Sequence, residues 1–289
     1  MLAAICKHDE DIVFPMVVSP KLDGIRCLMK DGRPISRSGE VLPNKFLQKW
    51  SMGHAELLHG LDGELIVGEP TAPDCMNKTQ SGIMSIEGEP DFTYHVFDNW
   101  LYPMDMFMQR YKLATRQVLD ATRCVMVPQY PCYDLATAKE FFKGFLDKGY
   151  EGLVLRNPEG FYKQGRSTMR EQGMLKMKEW MDSEARVIGW TELMKNDNPP
   201  KYTELGYTKR STSKANKIPA GTMGSLQVVD IYSDVEFDIG IPIPSQRDSL
   251  WAIRNNLEGL ITKYKFLKYG AKNKPRQPIL VGFRSEIDL

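Results

Sequence analysis

Residues 19–26 read SPKLDGIR and place Lys21, Asp23 and Arg26 close together around Gly24. A lysine is a nucleophile only when its amine is neutral, and burial or a neighbouring cation lowers its pKa towards that state. Asp-Gly is also a common turn dipeptide, and so short a segment taken alone favours a solvated turn. The chemical alternative is a loop that holds an amine against a phosphate. In that loop Lys21 is the nucleophile, Asp23 shapes the turn and Arg26 faces the phosphate.

Acidic residues lie beside apolar runs at two further places. LDGEL contains Asp62 and Glu64 around a glycine, and Glu151 comes directly before the apolar run GLVLR. Carboxylates at the ends of strands line clefts and bind Mg²⁺ or hydroxyl groups. Taken singly, each of these acids is more typical of ordinary turn chemistry.

Basic and aromatic residues complete the set that could do chemistry. Lys176 and Lys178 in LKMK share one face of a predicted strand, because side chains alternate with a period of two. Two inward lysines need an anion between them, such as a polyphosphate, whereas outward lysines over an apolar back face are commoner. Lys163 and Arg166 in YKQGRST form a basic loop or contact phosphate. Phe97 in HVFD could stack on a nucleobase, although a core phenylalanine is the commoner use.

Hydrophobic periodicity predicts the elements that must position these residues. Residues 12–29 read as strand, loop, strand, and a helix over 135–149 begins after Asp134 as its cap and ends at Gly149. Further strands are predicted at 63–69, 93–100, 151–157 and 173–180, and a further helix at 104–122.

The pattern of apolar runs in the sequence changes after about Asp182. Five short strand-like runs follow, with a helix-like segment at 246–257 between the third and the fourth, which suits a small oligonucleotide-binding (OB) barrel. Residues 195–221, the basic insert, interrupt the first two barrel strands and carry six basic against two acidic residues. An insert this long is expected to be functional or disordered.

Composition narrows the class of protein. The 289 residues carry a net charge of +1, which argues against binding nucleic acid by bulk charge. The five cysteines show no C-x-x-C spacing, as expected of reduced thiols in a cytosol. No run approaches the roughly 20 apolar residues of a membrane span, and the start MLAAICKHDE does not read as a signal peptide. We therefore expect a cytoplasmic, soluble monomer without a membrane partner.

Taken in order, KLDGIR, SRSGE, LDGEL, HVFD, EGLVLR and LKMK resemble the nucleotidyltransferase motifs of ATP-dependent DNA ligases and their capping-enzyme relatives. The resemblance runs from about Phe14 to the C-terminus. GYTKRSTSKANK, TMGSLQV, YGAKNKPRQPILVGFR and the closing EID are similar to the compact viral members of that family. It implies an α+β fold, with an ATP-grasp-like adenylyltransferase domain of antiparallel sheets over residues 1–182. An OB-fold β-barrel then follows over 183–289, and the basic insert matches a latch that closes around DNA.

The resemblance implies sealing of 3′-OH/5′-phosphate nicks in duplex DNA through a lysyl-AMP and a DNA-adenylate. ATP and Mg²⁺ (or Mn²⁺) are the implied cofactors, and nicked duplex DNA is the implied partner. The implied catalytic residues are Lys21, Asp23, Arg26, Lys176 and Lys178. The implied nucleotide contacts are Arg37, Glu64, Phe97, Arg156, Arg284 and Asp288. The implied metal ligands are Asp62, Glu64 and Glu151, and the implied DNA contacts are Arg166, Lys209, Arg210, Lys214, Lys217 and Arg276.

Two departures and three alternatives accompany this resemblance. The family's last motif ends in an aspartate followed by a basic residue, but Leu289 follows Asp288, so we expect a slower reaction with ATP. Only 20 residues precede Lys21, so we expect DNA contacts from the barrel and the basic insert. An RNA ligase and an mRNA capping guanylyltransferase also use a K-x-D-G lysine, and the latch-like insert favours a DNA ligase over both. The third alternative is a nick-binding protein without chemistry, against which the intact set of lysines and glutamates speaks.

Overall fold

The chain folds as two units in a computed structural model that describes residues 1–6, 8–203, 205–268 and 274–284. The first unit is Met1–Lys178 with Thr203–Tyr207, and the second is Glu179–Tyr202 with Thr208–Leu289. Asp288 and Leu289 lie outside the described residues. The slower reaction with ATP that was expected from Leu289 therefore stays a prediction. The functional division of the chain near residue 182 remains a prediction.

The first unit contributes ten strands and five α-helices to the described part of the chain. The strands are β1 (Ala4–Ile5), β2 (Met16–Lys21), β3 (Ile25–Lys30), β4 (Arg33–Ser36), β5 (Leu61–Val67), β6 (Phe92–Asn99), β7 (Cys124–Met126), β8 (Tyr130–Cys132), β9 (Gly152–Arg156) and β10 (Met174–Lys178). The helices are α1 (Lys45–Gly53), α2 (Ala55–Leu58), α3 (Cys75–Met84), α4 (Phe107–Val118) and α5 (Leu135–Asp147). A short 3₁₀ turn covers Asp9–Asp11.

The strands of the first unit form two five-stranded sheets. The first sheet has the order β1-β10-β9-β2-β8 and the second has the order β4-β3-β5-β6-β7. The expectation of purely antiparallel sheets is wrong at one edge of each, because β1 pairs parallel to β10 and β7 pairs parallel to β6. Both are strands of two or three residues, too short for a residue pattern to show the direction in which they pair, and β1 joins β10 from the other end of the unit.

Each sheet buries one face under helices. In the first sheet, Leu153, Leu155 and Leu175 pack with Ala138 and Phe145 of α5. Because side chains alternate, Val154 and Lys176 point to the opposite face of the same strands. The second sheet repeats this arrangement. Its apolar face contacts α1 and α4, and its other face carries polar and aromatic side chains.

The second unit contains a closed barrel with the strand order β11-β14-β15-β17-β16. Its elements are β11 (Met181–Asn196), β12 (Pro200–Tyr202), β13 (Thr208–Arg210), β14 (Lys217–Asp230), β15 (Glu236–Gly240), α6 (Pro244–Ala252), a 3₁₀ turn (Arg254–Asn256), β16 (Ile261–Phe266) and β17 (Ile279–Arg284). The five predicted runs and the helix between the third and fourth are all present. No helix of the described residues is long and apolar enough to cross a membrane.

The described residues of the basic insert form a hairpin. It prolongs β11 and β14, which stay paired as far as Asn196 and Lys217, and β12 pairs with β13 inside it. The buried Asn198 braces the hairpin, since its side-chain amide donates to the carbonyl oxygens of Ser211 and Ser213 at 3.1 and 3.0 Å. The basic side chains of the insert therefore extend from a defined scaffold.

A buried ion-pair network joins the two sheets of the first unit. Asp98 of β6 accepts from Arg110 of α4 and from Arg156 of β9, and all three side chains are almost fully buried. Arg110 also donates to the backbone carbonyl of Gly160 at 3.0 Å, and Arg156 lies 4.0 Å from the centroid of Phe107. Burial would raise the pKa of Asp98, but the two guanidinium groups lower it below its ordinary value.

We predict that Asp98→Asn lowers the free energy of unfolding by about 3–5 kcal/mol, because two buried guanidinium groups lose their counter-charge. Urea denaturation at pH 7 measures it. Since the folded-state pKa of Asp98 is lowered, the stabilisation is present above the unfolded pKa and is lost as pH falls, so the two proteins converge in acid. Asp91→Asn is the control, because the exposed Asp91 pairs with Arg123 at the surface and should cost less than about 1 kcal/mol. Equal losses in both variants would contradict the prediction.

Candidate active site

A cavity of about 150 Å³ lies between the two sheets of the first unit. Lys21 and Lys176 reach it from the first sheet, and Arg26, Glu64 and Phe97 reach it from the second. The alternation of side chains along β2, β10, β3, β5 and β6 directs all five to the faces that the helices leave open. The structure therefore brings together residues that the sequence distributes over four of the six motifs.

Glu151 bridges two lysines at the edge of this cavity. Its carboxylate contacts the amines of both Lys21 and Lys178, and only 8% of its side chain is exposed. Lys21 and Lys178 flank Gly152 across the ladder, and a Cβ on Gly152 would lie 2.3 Å from the carbonyl oxygen of Met177. Burial would raise the pKa of Glu151, but the two lysines together lower it. The carboxylate thus stays ionised and holds the two amines on either side of it.

Lys176, the other lysine of LKMK, has a different electrostatic environment. Burial, together with the nearby charges of Lys178, Lys21 and Arg166, lowers the pKa of Lys176 to about 8. The predicted strand geometry is confirmed, since Lys176 and Lys178 share one face of β10 while Leu175 and Met177 pack in the core behind it. Such a concentration of cations favours an anionic ligand.

Glu64 faces the cavity next to the loop that carries Lys21. Burial raises its pKa to about 6, against the opposing effects of Lys21 and Arg26 and of a hydrogen bond from the backbone of Gly24. A Cβ on Gly24 would lie 2.4 Å from the carbonyl oxygen of Leu65, so only glycine allows the loop to approach β5 this closely. In the same turn, the carbonyl oxygen of Asp23 accepts from the Cys75 thiol at 3.4 Å.

Asp62, the first of the expected metal ligands, contacts other protein groups in this structure, and its role towards a metal stays a prediction. It is fully buried, both of its oxygens accept from the guanidinium of Arg26, and Oδ2 also accepts from the hydroxyl of Tyr162 at 2.8 Å. These donors occupy the carboxylate from two sides. Asp62 is the counter-ion of Arg26, whose guanidinium lies 4.5 Å from the ring centroid of Phe97.

The two remaining acids are the other expected metal ligands. Among the residues that the structure describes, no three His, Cys, Asp or Glu side chains are grouped to hold a metal ion. Mg²⁺ is commonly held by only one or two carboxylates together with substrate phosphates. Glu64 and Glu151 lie close enough to affect each other's charge. Both oxygens of Glu151 already contact lysine amines, so a metal held by this pair stays a prediction.

Two predicted arginines also line the cavity. Arg37 is exposed at its rim, and Arg166 donates to the backbone carbonyl of Ala3 at 2.7 Å. Leu2 and Ala3 form part of the wall, because β1 pairs with β10 beside Lys176. The sequence analysis missed this contribution of the first residues, which carries no local signal.

Arg156 does not contact the cavity as expected for a nucleotide ligand. Its guanidinium is buried in the ion pair with Asp98, which the sequence could not show because the partner lies on another strand. Arg284 pairs with Glu184 inside the barrel, and its role towards a nucleotide stays a prediction. The other expected contacts lie in the second unit and stay predictions as well: Lys209, Arg210, Lys214, Lys217 and Arg276.

Further residues around the cavity were missed by the sequence analysis. The apolar wall includes Val127, Val154 and Met174. Tyr162 donates to Asp62, the counter-ion of Arg26. Val154 and Met174 could have been found from the period of two along β9 and β10, since each lies on the same face as a predicted residue. Tyr162 stands in an irregular connection, for which no period exists.

Comparison with known proteins gives consistent matches. The family model described as "ATP dependent DNA ligase domain" matches residues 1–178. The DNA ligase of Enterobacteria phage T4 is 22% identical over 63% of this chain and 48% of the phage protein. The chain thus spans about half the length of the curated relatives that it matches.

Solved structures match over nearly the whole chain. The Chlorella virus DNA ligase-adenylate is 29% identical, with a TM-score of 0.52 and coverage of 99% of this chain and 97% of that one. A DNA ligase of the Lig E type has a TM-score of 0.71 at 21% identity, with coverage of 98% of both chains, and supports the fold.

We predict that Glu64→Gln stabilises the free protein at pH 8 by on the order of 1–2 kcal/mol. The folded-state pKa of Glu64 is about 6 against an ordinary 4.5, so the wild type loses stability relative to the variant as pH rises through this range. Below about pH 4.5 the two proteins should unfold alike. Urea denaturation between pH 4 and pH 8 gives the difference curve. The exposed Glu89→Gln is the control for removing one surface charge, and a flat curve for Glu64→Gln would contradict the prediction.

Proposed function

Because this chain belongs to the ATP-dependent DNA ligase domain family, we propose that it seals 3′-OH/5′-phosphate nicks in duplex DNA at the expense of ATP. The observation that carries the proposal is the placement of Lys21. Its amine contacts Glu151 at the edge of a cavity that Arg26, Glu64, Phe97 and Lys176 line. A nucleophile, cationic groups and an aromatic surface are what transfer of a nucleotide to a lysine requires.

Three transfers make up the proposed reaction. The neutral amine of Lys21 attacks the α-phosphorus of ATP, a phosphoramidate bond forms and pyrophosphate leaves. The 5′-phosphate at the nick then attacks the same phosphorus, which transfers AMP to the DNA and frees the lysine. Finally, the adjacent 3′-OH attacks the 5′-phosphate, and AMP leaves as the phosphodiester forms. Each step replaces one bond to phosphorus with another.

The protein's own groups have distinct roles in this scheme. Glu151 holds Lys21 in place and faces the proton that the amine must lose. Lys176 offsets the charge that builds up on the phosphate oxygens during transfer, and Arg26, beside Phe97, helps to bind the nucleotide. Phe97 offers a face for the adenine. A bound Mg²⁺ would supply further charge neutralisation at the phosphates, with Glu64 and Glu151 as the carboxylates that hold it.

We also propose that the barrel is an OB-fold and that the basic insert closes around DNA. The strand order β11-β14-β15-β17-β16, with α6 between β15 and β16, supports the first point. The second rests on the exposed cations Lys201, Lys209 and Lys214, together with Tyr202, which is 79% exposed on β12. Exposed cations bind phosphates and an exposed aromatic stacks on bases.

Lys21→Ala should abolish sealing of a singly nicked duplex by ATP and Mg²⁺, while the wild type and the exposed-lysine control Lys143→Ala both seal it. Labelling with [α-³²P]ATP should mark the wild type and not Lys21→Ala. The variant should still seal nicked DNA that already carries the 5′-adenylate, since that step does not need the lysine. Labelling by GTP alone would indicate a capping enzyme, and sealing of RNA ends alone would indicate an RNA ligase.

Replacing Lys201, Lys209 and Lys214 together with Gln should weaken binding of nicked DNA and make its affinity less dependent on salt. Each lost phosphate contact removes about 0.9 from the slope of log affinity against log salt, so a change of about 2–3 is expected. Fluorescence anisotropy between 50 and 200 mM salt measures it. The control replaces Lys112, Lys143 and Lys148, which are exposed on or beside α4 and α5, and changes net charge equally. Equal slopes for the two triple variants would show that bulk charge, rather than the insert, binds DNA.

A further inference from the structure

Tyr162 is a buried residue that contacts Asp62, the counter-ion of the cavity residue Arg26. It lies in the connection between β9 and β10, only 5% of it is exposed, and its hydroxyl donates to Oδ2 of Asp62 at 2.8 Å. Burial and the charge of Asp62 raise the pKa of Tyr162 well above its ordinary value. The phenol therefore keeps its proton and remains a donor to the carboxylate.

The carboxylate of Asp62 transmits this contact to the cavity. Asp62 holds the guanidinium of Arg26 in a bidentate pair, which fixes the plane of the guanidinium. The same Oδ2 atom accepts from Arg26 and from Tyr162, so a rotation of the carboxylate would disturb both contacts. Arg26 in turn lies over Phe97, and both line the cavity.

Tyr162 is itself held from its other side. Its backbone amide donates to the carbonyl of Pro103 at 2.9 Å, and the guanidinium carbon of Arg110 lies 5.5 Å from its ring centroid. Arg110 belongs to the buried network around Asp98. These contacts hold the ring from the side opposite to the hydroxyl that donates to Asp62.

We propose that Tyr162 is a positioning residue for nucleotide binding, which fixes the carboxylate of Asp62 and thereby holds Arg26 against Phe97 at the cavity wall. The proposal rests on the proposed function, because it concerns how the cavity receives ATP. It predicts that loss of the hydroxyl acts on the affinity for ATP more than on the rate of transfer, since Lys21 and Glu151 contact neither Tyr162 nor Asp62 in the described contacts.

The barrel supplies a matched control. Tyr264 is also fully buried, and its hydroxyl donates to the carboxylate of Asp230 at 2.6 Å. That carboxylate also accepts from Ser183 and Ser233, so it organises a turn and not a cavity. Tyr264→Phe therefore removes the same chemical contact at a place that does not line the cavity.

The first measurement is lysyl-AMP formation over a range of ATP concentrations for the wild type, Tyr162→Phe and Tyr264→Phe. Loss of a hydrogen bond to a charged group typically corresponds to about a tenfold change in a binding constant. Tyr162→Phe should raise the ATP concentration for half-maximal labelling about tenfold, with the rate at saturating ATP within about threefold of the wild type. Tyr264→Phe should leave both values unchanged, although urea denaturation should show that both variants lose stability.

A double-mutant cycle with Arg26→Gln tests whether Tyr162 acts through Arg26. If it does, adding Tyr162→Phe to Arg26→Gln should change half-saturation by less than about twofold, whereas independent effects would multiply.

Asp62→Asn is the second variant should Tyr162→Phe fold poorly, because it keeps an acceptor for the phenol but loses the charge that holds Arg26. It should raise half-saturation as well.

The outcomes separate the two levels of proposal. Absence of labelling in the wild type would refute the proposed function. Labelling in the wild type with unchanged half-saturation in Tyr162→Phe would overturn the role of Tyr162 alone. The same holds if the effects of Tyr162→Phe and Arg26→Gln multiply, or if Asp62→Asn binds ATP like the wild type.

Discussion

The ionised carboxylate of Glu151 between Lys21 and Lys178 is the contact on which the geometry of the cavity depends. The period of two along β2 and β10 directs Lys21, Lys176 and Lys178 to one open face, where three ammonium groups repel one another in a space of reduced dielectric. The carboxylate of Glu151 contacts two of these ammonium groups and offsets their repulsion when no substrate is bound. A triphosphate that enters the cavity meets amines already in place and takes over part of the role of the anion.

Much of this arrangement could be predicted from the sequence, because it follows from local rules. The strands β9 and β10 and the shared face of Lys176 and Lys178 follow from alternation alone. The helix α5 begins where Asp134 accepts from the amide of Thr137 and ends before Gly149, whose φ of +91° suits glycine. The succession of barrel strands and of the helix along the chain was equally accessible, since turn residues separate each apolar run from the next.

The interactions that were not predicted are those in which the partner is distant. An aspartate at the start of an apolar strand looks alike whether it binds a metal or an arginine, and only tertiary contacts show that Asp62 holds Arg26. The same reason applies to Arg156, which pairs with Asp98 on another sheet. Helix α1 is a different case. No helix was predicted at this place, although Asn44 precedes it and accepts from the amide of Leu47 as its cap, because its apolar face is short.

The cavity shifts the pKa values of several of its groups from their ordinary values, and interactions elsewhere in the unit must offset the resulting loss of stability. Burial raises the pKa of Glu64 and lowers that of Lys176, so both ionised forms are disfavoured while the cavity is empty of anions. The buried pairs of Asp98 with Arg110 and Arg156 connect the sheets on either side and hold them at the spacing that the cavity needs. A nucleotide offers phosphates to the lysines, so binding relieves part of the cost and stabilises the folded state. The burial of charged groups that destabilises the empty site therefore favours binding of an anionic nucleotide.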